Sequence, residues 1–128
     1  MTRRAYTTTE APDPRGNYSQ VVSAGNLVVT AGFGPVDPRT RAIVGDEIGE
    51  QTRQTLRNVA AALAAANCDM RDVVKVTAHL ANADRDWAGF DEVFPEFFDQ
   101  PYPVRTTAGS ELGDILVEID VIAVRPED

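Results

Sequence analysis

The chain is poor in the residues from which metal and redox centres are built. Its 128 residues include one cysteine, Cys68, and one histidine, His79. A lone cysteine forms no internal disulfide, so a reducing cytoplasm is the expected compartment. No CxxC occurs, and the ligand count speaks against a His- or Cys-rich metal site within one chain. Carboxylates, or ligands drawn from several chains, are left as the route to a hard cation. Lysine is nearly absent as well. Lys75 stands alone, and twelve basic residues against twenty acidic ones give a net charge of −8. Nucleic-acid surfaces need clustered Lys and Arg, so no nucleic-acid partner is expected. No apolar run approaches the roughly 20 residues of a membrane helix. The N-terminal MTRRAYTTTEAPDP lacks the apolar centre of a secretory signal. No membrane partner is expected.

Several catalytic signatures are missing too. There is no GxxxxGK[ST] and no GxSxG. Gly32-Phe33-Gly34 lacks the third glycine and following helix of a dinucleotide site. A Ser-His-Asp triad would have to use His79, and nothing in the sequence places a serine beside it.

What is present is ordinary for one globular domain, expected over 1–128: 43% hydrophobic and 25% charged residues. A short strand is expected around Arg4 to Thr8, followed by breakers at Pro12, Pro14 and Gly16. Tyr18–Val22 and Leu27–Ala31 flank Gly25-Asn26 and predict a hairpin. Gly32, Gly34 and Pro35 end it, and Val36–Gly45 reads as a loop with a turn near Asp37-Pro38. Asp46 is the expected cap of a helix whose apolar stripe is Ile48, Thr52, Leu56, Val59, Leu63 and Ala66, with Gln51, Arg53, Gln54 and Arg57 elsewhere on the wheel. Asn67 suits the left-handed residue that ends it. Asp72–Leu80 alternates: Val74, Val76, Ala78 and Leu80 take one face, and Val73, Lys75, Thr77 and His79 the other. A second helix from near Asp84 gathers Trp87, Phe90, Val93, Phe94 and Phe97, with an irregularity at Pro95. The order predicts an α+β fold, a mixed sheet with two helices on one face.

The last strand sharpens this. Ile115, Val117, Ile119, Val121 and Ala123 share the face expected under the helices. Leu116, Glu118, Asp120 and Ile122 share the other. Carboxylates beside large apolar residues predict a partner subunit on that open side. Arg105 and Thr107 are expected there too, with Lys75, Thr77 and His79.

The residues left for chemistry are Arg105, Glu118 and Tyr18. Arginine offers a carboxylate two parallel hydrogen bonds. A partly desolvated glutamate orients water or exchanges a proton. Two readings stand: a cross-strand ion pair, which is the commoner arrangement, or the two ends of a site where a small carboxylate undergoes addition of water. Cys68 and the Trp87-Phe90-Phe94-Phe97 set read as core, and His79 as a strand residue on a wet or interface face.

Six ordered strings cover nearly the whole chain: Gly16-Asn17-Tyr18-Ser19-Gln20-Val21-Val22, Thr30-Ala31-Gly32, Gln51-Thr52-Arg53-Gln54-Thr55-Leu56-Arg57-Asn58, Asp72-Val73-Val74-Lys75-Val76, Pro103-Val104-Arg105-Thr106-Thr107 and Leu116-Val117-Glu118-Ile119-Asp120. Together they resemble the Rid, or YjgF-like, family. The resemblance implies a chorismate-mutase-like α+β fold, a homotrimer and sites in clefts between subunits. It also implies cofactor-independent hydrolysis of reactive enamines and imines to 2-oxo acids and ammonia. In that scheme Arg105 binds the substrate carboxylate, Glu118 positions or activates water, and Tyr18 lines the pocket. The partners implied are a second and third copy of the chain and a small carboxylate-bearing imine, enamine or 2-oxo acid.

The departures fall around the anchor. Thr107 stands where the archetypal deaminases have cysteine, and Ala31-Gly32-Phe33 where they have Ser-Gly-Gln. Asp91 replaces an asparagine, and the turn between Arg105 and Glu118 is shorter. Ala31, Gly32, Phe33, Asp91 and Thr107 are therefore expected substrate-binding positions with an altered lining, Phe33 making the pocket bulkier and more apolar. A non-catalytic trimer that binds small carboxylates is the alternative. A ribonuclease or translation inhibitor, as in some relatives, is disfavoured by the charge balance.

Overall fold

Every other side chain of the last strand is apolar, and that period-2 pattern makes it the spine of the sheet. The computed structural model describes residues 2–126. The strands are β1 (Arg4–Tyr6), β2 (Val21–Ala24), β3 (Leu27–Thr30), β4 (Val73–Leu80), β5 (Val104–Gly109) and β6 (Val117–Val124). The helices are α1 (Ile48–Ala65) and α2 (Ala83–Val93). The strands form one sheet in the order β1-β2-β3-β6-β4-β5. Only β4 and β5 run parallel, and α2 supplies the crossover that a parallel pair requires. No helix among the described residues is long and apolar enough to cross a membrane.

Val117, Ile119, Val121 and Ala123 of β6 are buried beneath the helices, as their alternation predicts. They meet Val76, Ala78 and Leu80 of β4, Leu56, Val59, Ala62 and Leu63 of α1, and Phe90 of α2. Leu56 is fully buried in this layer. Leu56→Ala is expected to cost about 2–5 kcal/mol. The readout is a lower denaturant midpoint at unchanged m-value, and a cost below about 1 kcal/mol contradicts the core assignment.

Four local expectations are corrected. The β4 pairing with β6 carries a bulge between Val73 and Lys75, so the alternation slips there. Val73 is 6% exposed and Val74 47%, the reverse of their predicted faces. The residue at the N-cap of α1 is Glu47 rather than Asp46, and it makes no side-chain cap bond. Gln51 is buried: its amide donates to the Gly45 carbonyl, and its side-chain oxygen accepts from the Leu116 N–H. At the end of α2, Pro95 lies in a 3-10 turn over Phe94–Glu96, the irregularity expected there, but the aromatic placement differs. That change of pitch buries Phe98 as well as Phe94, while Phe97 is only partly buried and Trp87 stays 47% exposed. Asn67 takes φ +60 and closes α1, as expected.

β6 lies between β3 and β4, so β5 and β6 are not neighbours. This separates the two charged strands on which the sequence reading turned.

Candidate functional site

Arg105 lies on edge strand β5 directly beside Val76 of β4, whose side chain is buried under the helices. Laterally paired residues share a face. Arg105 and Thr107 therefore point toward α2, and not to the open side with Lys75, Thr77 and His79. Glu118 pairs with His79 and projects from the open side. From strand spacing and rise, the Arg105 and Glu118 backbones lie about 14 Å apart, with side chains on opposite faces. The cross-strand ion pair is therefore ruled out. The predicted residues resolve into two groups.

The first group surrounds Arg105. Its side chain is 17% exposed, and Nη1 donates to Asp91 Oδ1 at 2.9 Å. Phe94, Phe90 and Trp87 bring their ring centroids to 4.7, 5.1 and 5.9 Å from the guanidinium carbon. All three come from α2 and the turn after it, at helical spacing. That spacing is also what a core stripe looks like, which is why these residues read as core alone. Arg105 makes a single side-chain hydrogen bond among the described residues, although its fork carries five N–H donors. Two residues on, the buried Thr107 hydroxyl has no partner among the described residues. A largely buried cation with most of its fork uncommitted has donors free to bind a planar anion.

The second group surrounds Glu118. Tyr18, Gly32 and Glu118 line a cleft of about 500 Å³, together with the loops carrying Arg15, Asp37, Arg41 and Asp114. A shallower depression beside it is lined by Tyr18, Ala31, Gly32 and Glu118. Tyr18 lies in the turn before β2, and its hydroxyl accepts the Arg15 N–H. Ala31 donates its N–H to the Gln20 carbonyl. Gln20 is buried and its amide ties down the carbonyls of Thr8, Ala11 and Pro12, which holds the N-terminal wall of the cleft. Asn58 of α1 holds the opposite wall by donating to the Gly34 and Val36 carbonyls. Gln20 and Asn58 were missed as site-building residues, because a lone amide carries no sequence signal of burial.

Gly32 is where the glutamate comes closest to the backbone. A Cβ there would lie 2.9 Å from Glu118 Oε2 and 3.0 Å from Cδ. Phe33 lines the same cleft and also reaches the core. It bridges to Ile119, is 5% exposed and joins the core cluster. Its bulk is shared between the core and the wall of the cleft.

On the open face, His79 Nδ1 lies 2.7 Å from Ser110 Oγ. A serine does stand beside His79, brought there from the end of β5, which the sequence spacing did not reveal. Burial raises the Asp120 carboxyl above its ordinary value, while His79 and Lys75 pull the other way. Exposed Leu27, Val29, Val104 and Val124 surround these polar groups. No cluster of metal-ligating side chains occurs among the described residues.

The comparisons agree with this architecture. The model of the endoribonuclease L-PSP family matches residues 8–125. A RutC family protein of Pyrococcus horikoshii is 43% identical over 120 residues, covering 92% of this chain and 94% of its own. The 2-iminobutanoate/2-iminopropanoate deaminase of Dermatophagoides farinae is 37% identical, covering 95% and 96%. The crystal structure of Escherichia coli TdcF with bound serine superposes with a TM-score of 0.88 at 35% identity, covering 96% of this chain and 99% of that one. Fold, length and ordered motifs coincide, and the chain belongs to the endoribonuclease L-PSP family, the Rid or YjgF-like family that its sequence resembles.

Proposed function

We propose that the chain hydrolyses reactive enamine or imine intermediates to 2-oxo acids and ammonia, without a cofactor, in a cleft built by two subunits of a homotrimer. The observation that carries this reading is the division of the site. An anion seat at Arg105 and a carboxylate cleft at Glu118 lie on opposite faces of one sheet, too far apart to share a small ligand. A second copy that brings its Glu118 cleft to the Arg105 edge completes the site. The apolar residues around the open face support such an assembly. The deaminase name of the mite relative supports the chemistry. The serine bound to the E. coli relative supports a small carboxylate as ligand.

In this mechanism Arg105 takes the substrate carboxylate at the free part of its fork. An enamine is first protonated at carbon to give the iminium. Glu118 of the adjoining subunit accepts a proton from water as the water oxygen bonds to the iminium carbon. The tetrahedral carbinolamine then collapses. Glu118 returns the proton to nitrogen, the C–N bond breaks as the now anionic Glu118 takes up the hydroxyl proton and the C=O bond forms, and ammonia leaves with a 2-oxo acid behind. Tyr18 and the Gly32 backbone wall the reacting carbon. The family description names an endoribonuclease. The net charge of −8 and the single lysine argue against phosphate-backbone binding here.

The test is ammonia release from an enzymatically generated 2-imino acid, with the spontaneous rate subtracted. Catalysis that disappears in Arg105→Ala supports the proposal, and equal rates for both proteins contradict it. Gly32→Ala provides an independent check. The added methyl is expected to displace the flexible Glu118 carboxylate rather than the fold. Ammonia release should fall about tenfold or more, at a stability change within about 1 kcal/mol. Full activity in that variant would contradict the close approach of Glu118 to this backbone.

A further inference from the structure

We propose that Asp91 makes the Arg105 seat selective for ligands that carry a cationic nitrogen next to their carboxylate. This deepens the preceding assignment and rests on it. Asp91 Oδ1 accepts from Arg105 Nη1 at 2.9 Å, and the Asp91 side chain is 58% exposed. Its other oxygen, Oδ2, makes no hydrogen bond among the described residues. Phe94, Phe90 and Trp87 pack around the guanidinium. A ligand therefore reaches the fork at its uncommitted donors, next to Asp91.

The consequence follows from charge. A bare anion on this fork shares one guanidinium with the Asp91 carboxylate, and two like charges a few ångströms apart oppose each other. An iminium or ammonium nitrogen two bonds from the carboxylate carbon changes the sign of that contact. The carboxylate goes to Arg105 while the nitrogen faces the free Asp91 oxygen. The iminium form of a 2-imino acid carries both charges. The 2-oxo acid product keeps only the negative one. Asp91 thus favours substrate over product at the same seat and promotes product release. A neutral side chain at position 91 accepts the same arginine hydrogen bond without this discrimination.

Calorimetry on the full chain with pyruvate and L-serine tests this. Pyruvate stands for the bare 2-oxo anion and serine for a zwitterion of similar size. Asp91→Asn keeps the acceptor for Nη1 and removes the charge. It is expected to bind pyruvate about tenfold more tightly and serine no more tightly, so the serine-to-pyruvate affinity ratio falls by about tenfold or more. An unchanged ratio overturns the role of Asp91, whether both affinities move together or neither moves. Arg105→Ala distinguishes that outcome from failure of the seat itself. If the wild type binds neither ligand, or Arg105→Ala binds both as well as the wild type, the carboxylate seat is wrong and the selectivity falls with it.

Discussion

Arg105→Ala is expected to lower kcat/KM for 2-imino acid hydrolysis by about 10²–10³-fold or more. The side chain is mostly buried among three aromatic rings, so its charge acts in a partly desolvated setting. Truncating one member of a buried charged contact costs about 2–5 kcal/mol, and each 1.4 kcal/mol is roughly tenfold in rate. The loss should appear in kcat as well as KM, because the carboxylate anchor also fixes the reacting carbon relative to water. Arg105→Lys offers a point charge in place of the fork and should recover only part of the rate. Stability should change little in comparison, since the surrounding rings remain packed on one another. Phe94 stacks on Phe98 at 4.5 Å and meets Phe90 at a tilt at 6.0 Å without help from the arginine. A variant with wild-type kcat and raised KM would show that Arg105 supplies uniform binding only.

Glu118→Gln is expected to reduce kcat by about 10²–10⁴-fold, the usual range for a positioned general base. The amide is nearly isosteric, fits against Gly32 as the carboxylate does, and accepts no proton from water. Calorimetric affinity for pyruvate should survive, because Arg105 and not Glu118 holds the ligand's carboxylate. The two variants therefore predict opposite signatures: Arg105→Ala loses ligand binding, and Glu118→Gln keeps it while losing turnover. Retained turnover in Glu118→Gln would remove the glutamate from the chemistry.

The elements were legible because their patterns are local. The alternation of Val117, Ile119, Val121 and Ala123 gave both the last strand and its buried face. The Gly25-Asn26 turn gave the hairpin, with Gly25 at φ +60. The stripe from Ile48 to Ala66 gave α1. Two kinds of information were not local. The insertion of β6 between β3 and β4 is a matter of pairing across the chain, and no spacing within Val117–Val124 encodes it. The direction of Arg105 was also hidden. Val104-Arg105-Thr106-Thr107-Ala108 has no alternation of polar and apolar residues, and a strand without alternation does not declare its faces. β5 is an edge strand reached by the α2 crossover, and its register beside Val76 and Ala78 decides the matter. Phe33, to which family analogy gave the role of a glutamine, lines the cleft but is also drawn into the core by its bridge to Ile119. That Arg105 and Glu118 lie on two faces of the sheet follows from strand pairing across the chain and has no local signature.

That division is the central claim, and mixing two inactive chains tests it most directly. One chain carries Arg105→Ala, the other Glu118→Gln, and the two are co-refolded in equal amounts. In a ring of three, every mixed trimer contains one junction where an intact Arg105 meets an intact Glu118 from the next chain. Random assembly makes about three quarters of the trimers mixed, so about one quarter of wild-type activity should return. If Arg105 and Glu118 of the same chain served one site, no assembly would unite them. The mixture would then stay as inactive as its two components.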